Sequence, residues 1–197
     1  MKFSRIRLAI LLFTVRLVAS APDSAGVNPV MPSTATAAMP GLKVGDHAVD
    51  FALKDSTGSE VSLQTLLKQG KVALAFVRSA NWCPFCRKQL QDLEKNLPAI
   101  HATGIQFVAI SYDSPATNAI AAAKLGLTFP LLSDAGSKVI DAYGIRNHEA
   151  TGRADGIPHP VLFLLDQKGV IRVKLMRDGF REHPEASEIV AGANSYN

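Results

Sequence analysis

Two cysteines are all that this 197-residue chain contains, and that scarcity excludes more than it allows. A structural zinc site needs about four ligands, and neither a second Cys-x-x-Cys nor a His-x-x-x-His pair is present. The five histidines (His47, His101, His148, His159 and His183) are scattered. With no third cysteine, Cys83 and Cys86 can pair only with each other or with a partner protein. Charge is sparse as well: 19% of residues are charged and the net charge is only +4. No basic run carries interleaved aromatics, so nucleic acid is not an expected partner. No apolar run is long enough for a stable membrane span. Nothing points to a cofactor or a resident metal.

What is present centres on Arg78-Ser-Ala-Asn-Trp-Cys-Pro-Phe-Cys-Arg87. An apolar run, Val72 to Val77, precedes the cysteines and a helical pattern follows them. A strand therefore delivers the pair and a helix starts on it. One helical turn brings the two Cα atoms to about 5–6 Å, within reach of a disulfide. Unpaired N–H groups of the first turn and the positive end of the helix dipole face Cys83 and favour its thiolate, the reactive form. Pro84 suits the first turn. Arg87 and Lys88 oppose the dipole there but add positive charge near an anionic sulfur. A redox pair is the leading reading, ahead of a metal site or two inert core cysteines.

Residues 1–21 read as a signal peptide, with a basic start, an apolar run from Leu8 to Val15 and an Ala19-Ser-Ala21 cleavage pattern. Arg16 interrupts the apolar part and Pro22 disfavours cleavage directly before it. A mitochondrial presequence, also basic and acid-free, is the rival. The expectation is export, to a bacterial periplasm or beyond the cell. Residues 22–40, rich in Pro, Ala, Ser and Thr, read as a flexible linker, and residues 41–195 as one domain.

Within that domain Val49, Phe51 and Leu53 alternate as a half-buried strand, and Glu60 to Leu63 pairs back as an N-terminal hairpin. A short helix follows at 63–68, capped by Ser62. Nearly continuous apolar runs at 72–78, 105–111 and 161–165 read as strands buried on both faces. The pattern places helices at 83–101, 115–125 and 184–193. Pro98 should end or kink the first of these near Leu97. It also places a strand at 129–133, a helix capped by Asp134 that runs to Tyr143, an irregular stretch at 145–159, and a last strand at 170–176. The fold class is therefore α/β, a central mixed sheet flanked by helices with the hairpin as an extension.

These features resemble the thioredoxin-fold superfamily and, within it, the alkyl hydroperoxide reductase and thiol-specific antioxidant (peroxiredoxin-like) family. The resemblance rests on Val44-Gly-Asp46, Asp50-Phe-Ala-Leu53, Trp82-Cys-Pro-Phe-Cys86, Phe129-Pro-Leu-Leu-Ser-Asp134, Tyr143-Gly-Ile145 and Phe163-Leu-Leu-Asp166 with Gly169. It implies a thiol redox enzyme in which Cys83 attacks a disulfide or a peroxide and Cys86 resolves the intermediate. A protein dithiol or disulfide is then its partner. It also implies a cis-proline opposite the pair, at Pro160, with Pro158 as the alternative. Beside it, His159 is a candidate to accept a proton or tune the thiolate. Trp82, Pro84 and Phe85 would form an apolar rim for docking. The chain departs from the peroxidatic Pro-x-x-x-Thr/Ser-x-x-Cys pattern, with Phe76 and Ala80 at those positions. The family's arginine is absent from its usual stretch, leaving Arg78 and Arg153 as substitutes, and no buried carboxylate precedes the pair in its strand. A copper-binding module using both cysteines and His159 is the alternative function, and a merely structural disulfide a weaker one.

Overall fold

Lys71–Phe76 shows how the sequence builds the centre of the molecule. Its alternate residues must fill two different cores, because strand side chains point to opposite faces. Ala73 and Ala75, followed by Val77, face the layer that holds both cysteines, while Val72, Leu74 and Phe76 face the other. Small alanines on the first face leave room for the helix that carries the thiols.

The structure is a computed structural model that describes residues 39–177 and 181–196. The expected signal peptide, and all but the last two residues of the expected linker, lie outside the described residues. In chain order the elements are β1 (Ala52–Lys54), β2 (Glu60–Ser62), α1 (Leu63–Gln69), β3 (Lys71–Phe76), α2 (Pro84–Lys95), α3 (Leu97–His101) and β4 (Ile105–Ser111). They continue with α4 (Pro115–Leu125), β5 (Leu131–Ser133), α5 (Lys138–Ala142), a 3-10 turn (Gly152–Ala154), β6 (Val161–Leu165), β7 (Ile171–Met176) and α6 (Ala186–Asn194). The seven strands form one mixed sheet in the order β2-β1-β5-β4-β3-β6-β7. β3 pairs in parallel with β4 and antiparallel with β6. One core layer takes Leu90 and Leu93 of α2, Leu97 and Ile100 of α3, and Ile189 and Ala193 of α6. The other takes Leu63, Leu66 and Leu67 of α1 and Ile140 of α5, with Phe76, Tyr143 and Phe163 packed as an aromatic cluster.

Three local expectations are corrected. The helix expected over 83–101 is two helices, because Asn96 leaves helical geometry (φ −101°, ψ 5°). Pro98 then sits in the first turn of α3, where its missing N–H costs nothing. The strand expected from Phe129 begins only at Leu131. The helix expected from Asp134 begins at Lys138, since Gly136 (φ 106°) and Ser137 (φ 60°) are left-handed. Asp134 still caps from a distance: its carboxylate accepts the Ile140 N–H at 2.8 Å. Asp134 is buried, so Asp134→Ala is expected to lower stability by about 1–2 kcal/mol in a urea titration.

Candidate active site

β3 ends at Phe76, and the Val77 N–H continues its pairing to the Ile110 carbonyl at 2.9 Å. Residues 78–82 then cross to α2, whose N-cap is Cys83. A cysteine in this position does what serine or aspartate does elsewhere: its sulfur accepts the free Cys86 N–H, at 3.2 Å. Pro84 takes the first helical position. The Arg78 guanidinium lies 3.3 Å from the same sulfur. Cys83 is 1% exposed and Cys86 is 0% exposed, and both are free thiols.

This geometry separates the two thiols chemically. A hydrogen bond from the Cys86 side chain, aided by the Cys86 and Phe85 backbone N–H groups and by Arg78, brings Cys83 from 9.0 down to about 6, against burial, which acts the other way. Cys86 moves the opposite way, because its proton is engaged by the Cys83 sulfur and because burial and the negative charge of that sulfur disfavour a second thiolate. One thiol is poised to attack at neutral pH and its neighbour holds a proton.

The loop that carries Cys83 is pinned from β4 by a carboxylate that the sequence pattern did not reveal. Asp113 lies just beyond Ser111, the end of β4, and is 8% exposed. It accepts the Ser79 hydroxyl at 3.1 Å and the Ala80 N–H at 3.1 Å. The Ser79 oxygen in turn accepts the N–H groups of Asn81 (3.1 Å) and Trp82 (3.2 Å). Each hydrogen-bonding capacity of that hydroxyl is used. Burial pushes the Asp113 carboxyl upward, against the hydrogen bonds from Ser79, Ala80, Ser111 and Asn81. Asp113→Asn places an amide N–H where an acceptor is needed. It is expected to cost about 1–3 kcal/mol in chemical denaturation and, by loosening the loop that carries Cys83, to shift the Cys83 titration. An unchanged thiol titration in that variant would show that Asp113 serves the fold alone.

The remaining candidates divide. Trp82 and Phe85 are half-buried and pack against the cysteine layer. The Trp82 indole N–H donates to the Tyr112 hydroxyl at 3.0 Å, and that hydroxyl donates to the Arg153 carbonyl. Phe76 pairs with Val161, so the antiparallel register sets Pro160 across from Val77, at the end of β3 where the cysteine loop departs. Pro158 instead bridges Arg146. His159 is placed elsewhere: it lines a cavity of about 300 Å³ with Pro40, Asp141, Gly144, Arg146, Asn147, His148 and Glu149, and neither cysteine borders it. Its pKa is lowered, mainly by burial, with Glu149 opposing. Among the described residues no three His, Cys, Asp or Glu side chains gather to hold a metal, so the copper-binding alternative is not supported. His183 was not singled out by the sequence. Both its ring nitrogens are buried without a hydrogen-bond partner among the described residues, and burial with the Arg78 charge lowers its pKa to about 4. It borders, with Phe85 and Gln89, a larger cavity of about 850 Å³ beside α2.

A cysteine pair at the start of a helix, fed by a central strand of a helix-flanked mixed sheet, defines a thiol-based redox enzyme of the thioredoxin fold. More narrowly, the model of the AhpC/TSA family matches residues 44–174, and the chain belongs to that family. Two curated relatives illustrate its range. The thiol-disulfide oxidoreductase ResA of Halalkalibacterium halodurans is 32% identical over 141 residues, 71% of this chain and 72% of that protein. Alkyl hydroperoxide reductase E of Mycobacterium tuberculosis is 35% identical over 138 residues, 69% of this chain and 86% of that protein. Among solved structures, peroxidoxin BcpB from Mycobacterium tuberculosis superposes with a TM-score of 0.70 at 25% identity, covering 79% of this chain and 99% of that one. No helix among the described residues is long and apolar enough to cross a membrane.

Proposed function

We propose that the protein is a thiol–disulfide oxidoreductase working through a Cys83–Cys86 dithiol/disulfide cycle. The observation that carries this reading is the placement of the pair: Cys83 caps α2 with its sulfur accepting the Cys86 N–H at 3.2 Å, and Cys86 lies in the first turn, an arrangement that favours the thiolate on Cys83 and the proton on Cys86. The Cys83 thiolate attacks one sulfur of a substrate disulfide, forming a mixed disulfide and releasing the first substrate thiolate. Once Cys83 is bonded, neither its charge nor its hydrogen bond keeps the proton on Cys86. That thiol ionises more readily, attacks the Cys83 sulfur and releases the second thiolate as the Cys83–Cys86 disulfide closes. A protein dithiol or an equivalent thiol reductant then restores the pair. Trp82, Phe85 and Pro160 would border the docking surface for the partner.

Peroxide reduction is the second reading, favoured by the Arg78 guanidinium 3.3 Å from the Cys83 sulfur. There the thiolate attacks a peroxide oxygen, the alcohol or water leaves, and Cys86 displaces hydroxide from the sulfenic acid. Against it, Ala80 offers no hydroxyl to the peroxide. Stopped-flow mixing of the reduced protein with hydrogen peroxide and, separately, with a disulfide, followed by the fluorescence of the sole tryptophan, Trp82, separates the two. Fast oxidation by the disulfide, with a peroxide rate no better than that of a free thiolate, supports exchange. The reverse pattern makes the protein a peroxidase.

We further propose that residues 1–21 direct export and that residues 22–40 tether the domain of residues 41–195, on the strength of the basic start, apolar run and Ala19-Ser-Ala21. Fractionation of expressing cells with mass determination of the mature N-terminus tests this. A full-length protein in the cytosol would refute it.

A further inference from the structure

Two arginines flank the residues that lead into Cys83 without pairing with a carboxylate among the described residues. Arg153, in the 3-10 turn Gly152–Ala154, sets its guanidinium over the Trp82 ring, 5.2 Å from the centroid. That turn is tied down through its own carbonyl, which accepts the Tyr112 hydroxyl, itself bonded to the Trp82 indole. Arg87 reaches back from the first turn of α2 to the Asn81 carbonyl at 3.4 Å. Both cations therefore stand against the two residues that lead directly into Cys83. Neither makes an ion pair with a carboxylate among the described residues, whereas Lys88, Arg146, Arg172 and Arg177 all do. The carboxylate of this loop, Asp113, is buried and already bonded to Ser79 and Ala80.

The position of Arg87 works against the helix dipole. The first turn of α2 contains no acidic residue, although a helix N-terminus favours negative charge, and Arg87 stands there instead. A cation kept where the helix dipole opposes it, beside a reacting sulfur, is the kind of local conflict that marks a site for a ligand of opposite sign. We propose that Arg153 and Arg87 form a carboxylate-recognising entrance, so that the substrates of Cys83 are small disulfides bearing a carboxylate close to the sulfur–sulfur bond. This rests on the exchange reading above and names its substrate class. The guanidinium planes suit a carboxylate through paired hydrogen bonds, and the low exposure of Cys83 (1%) favours a slender substrate that enters beside Trp82.

Three disulfides of nearly equal size test it: 3,3′-dithiodipropionate (dianionic), 2-hydroxyethyl disulfide (neutral) and cystamine (dicationic). Each is mixed with the reduced full-length protein at low salt, and the rate of Trp82 fluorescence change gives single-turnover oxidation. The same thiolate attacks all three, so ratios of rates cancel changes in its reactivity. The dianion is expected to react about tenfold faster than the dication, a ratio that shrinks with salt. In R87Q/R153Q the ratio is expected to fall at least about threefold. A ratio that is the same in wild type and variant overturns the proposal, since Arg78 and the helix dipole would then account for any preference. Oxidation by hydrogen peroxide with no response to any of the three disulfides overturns the exchange reading itself, and this inference with it.

Discussion

Cys83→Ser is expected to abolish turnover, by about ten-thousand-fold or more, for disulfide and peroxide alike, because a serine hydroxyl does not ionise near neutral pH. The substitution is nearly isosteric, and a serine at the N-cap still accepts the residue-86 N–H, so the fold is expected to survive. Cys86→Ser gives a different result. The first attack proceeds, but nothing resolves it, and the protein stops as a mixed disulfide on Cys83. Intact-protein mass spectrometry after one exposure to substrate is expected to show a single adduct that dithiothreitol removes. Full activity in Cys83→Ser, or an adduct on neither variant, would remove Cys83 from the role of nucleophile.

The second large effect is a titration. Thiolate absorbance at 240 nm in the reduced protein is expected to show one group ionising near pH 6 and no second group across the range in which a free thiol titrates. The hydrogen bond from the Cys86 side chain is the largest influence on Cys83, so Cys86→Ala should move it upward more than loss of Arg78 does. The same shifts govern stability. Cys83 binds its proton less readily in the folded protein than in the unfolded chain. Its contribution is therefore complete above the ordinary value of 9.0 and is lost as pH falls through about 6. Cys86, displaced upward, acts in reverse: the unfolded chain releases its proton first, so alkaline conditions destabilise the reduced form. Urea midpoints measured between pH 5 and pH 10 should rise and then fall for the dithiol. The Cys83–Cys86 disulfide should show neither trend.

Much of this was legible in the sequence, for identifiable reasons. The buried strands β3, β4 and β6 are nearly pure apolar runs, and the strand-to-helix position of Trp82-Cys-Pro-Phe-Cys86 announced the thiol pair. Boundaries governed by backbone sign were not legible. Nothing in Asp134-Ala-Gly-Ser137 says that its serine is left-handed and delays α5. Asp113 escaped because a carboxylate one residue past Tyr112 reads as a turn. Its reach to Ser79 comes from the parallel pairing of β3 with β4, a long-range contact with no local signal. His159 was placed beside the pair by its adjacency to Pro160. Alternation along the chain sends neighbouring side chains to different surroundings, and this one lines the cavity with His148 and Glu149.

The order of the sheet also bears on how the protein matures. β3, which delivers Cys83, lies between β4, which follows it closely, and β6, which is not synthesised until Val161–Leu165. A nascent chain therefore presents Trp82-Cys-Pro-Phe-Cys86 long before the strand that completes its shelter. Non-local pairings of this kind form late and slowly. During that interval both thiols are more open to any oxidant, and a disulfide closed then would precede the fold. The groups that separate Cys83 from Cys86 are local to residues 78–86, whereas the burial of both thiols needs the finished sheet, so a ribosome-bound fragment ending before β6 would contain both cysteines without that protection.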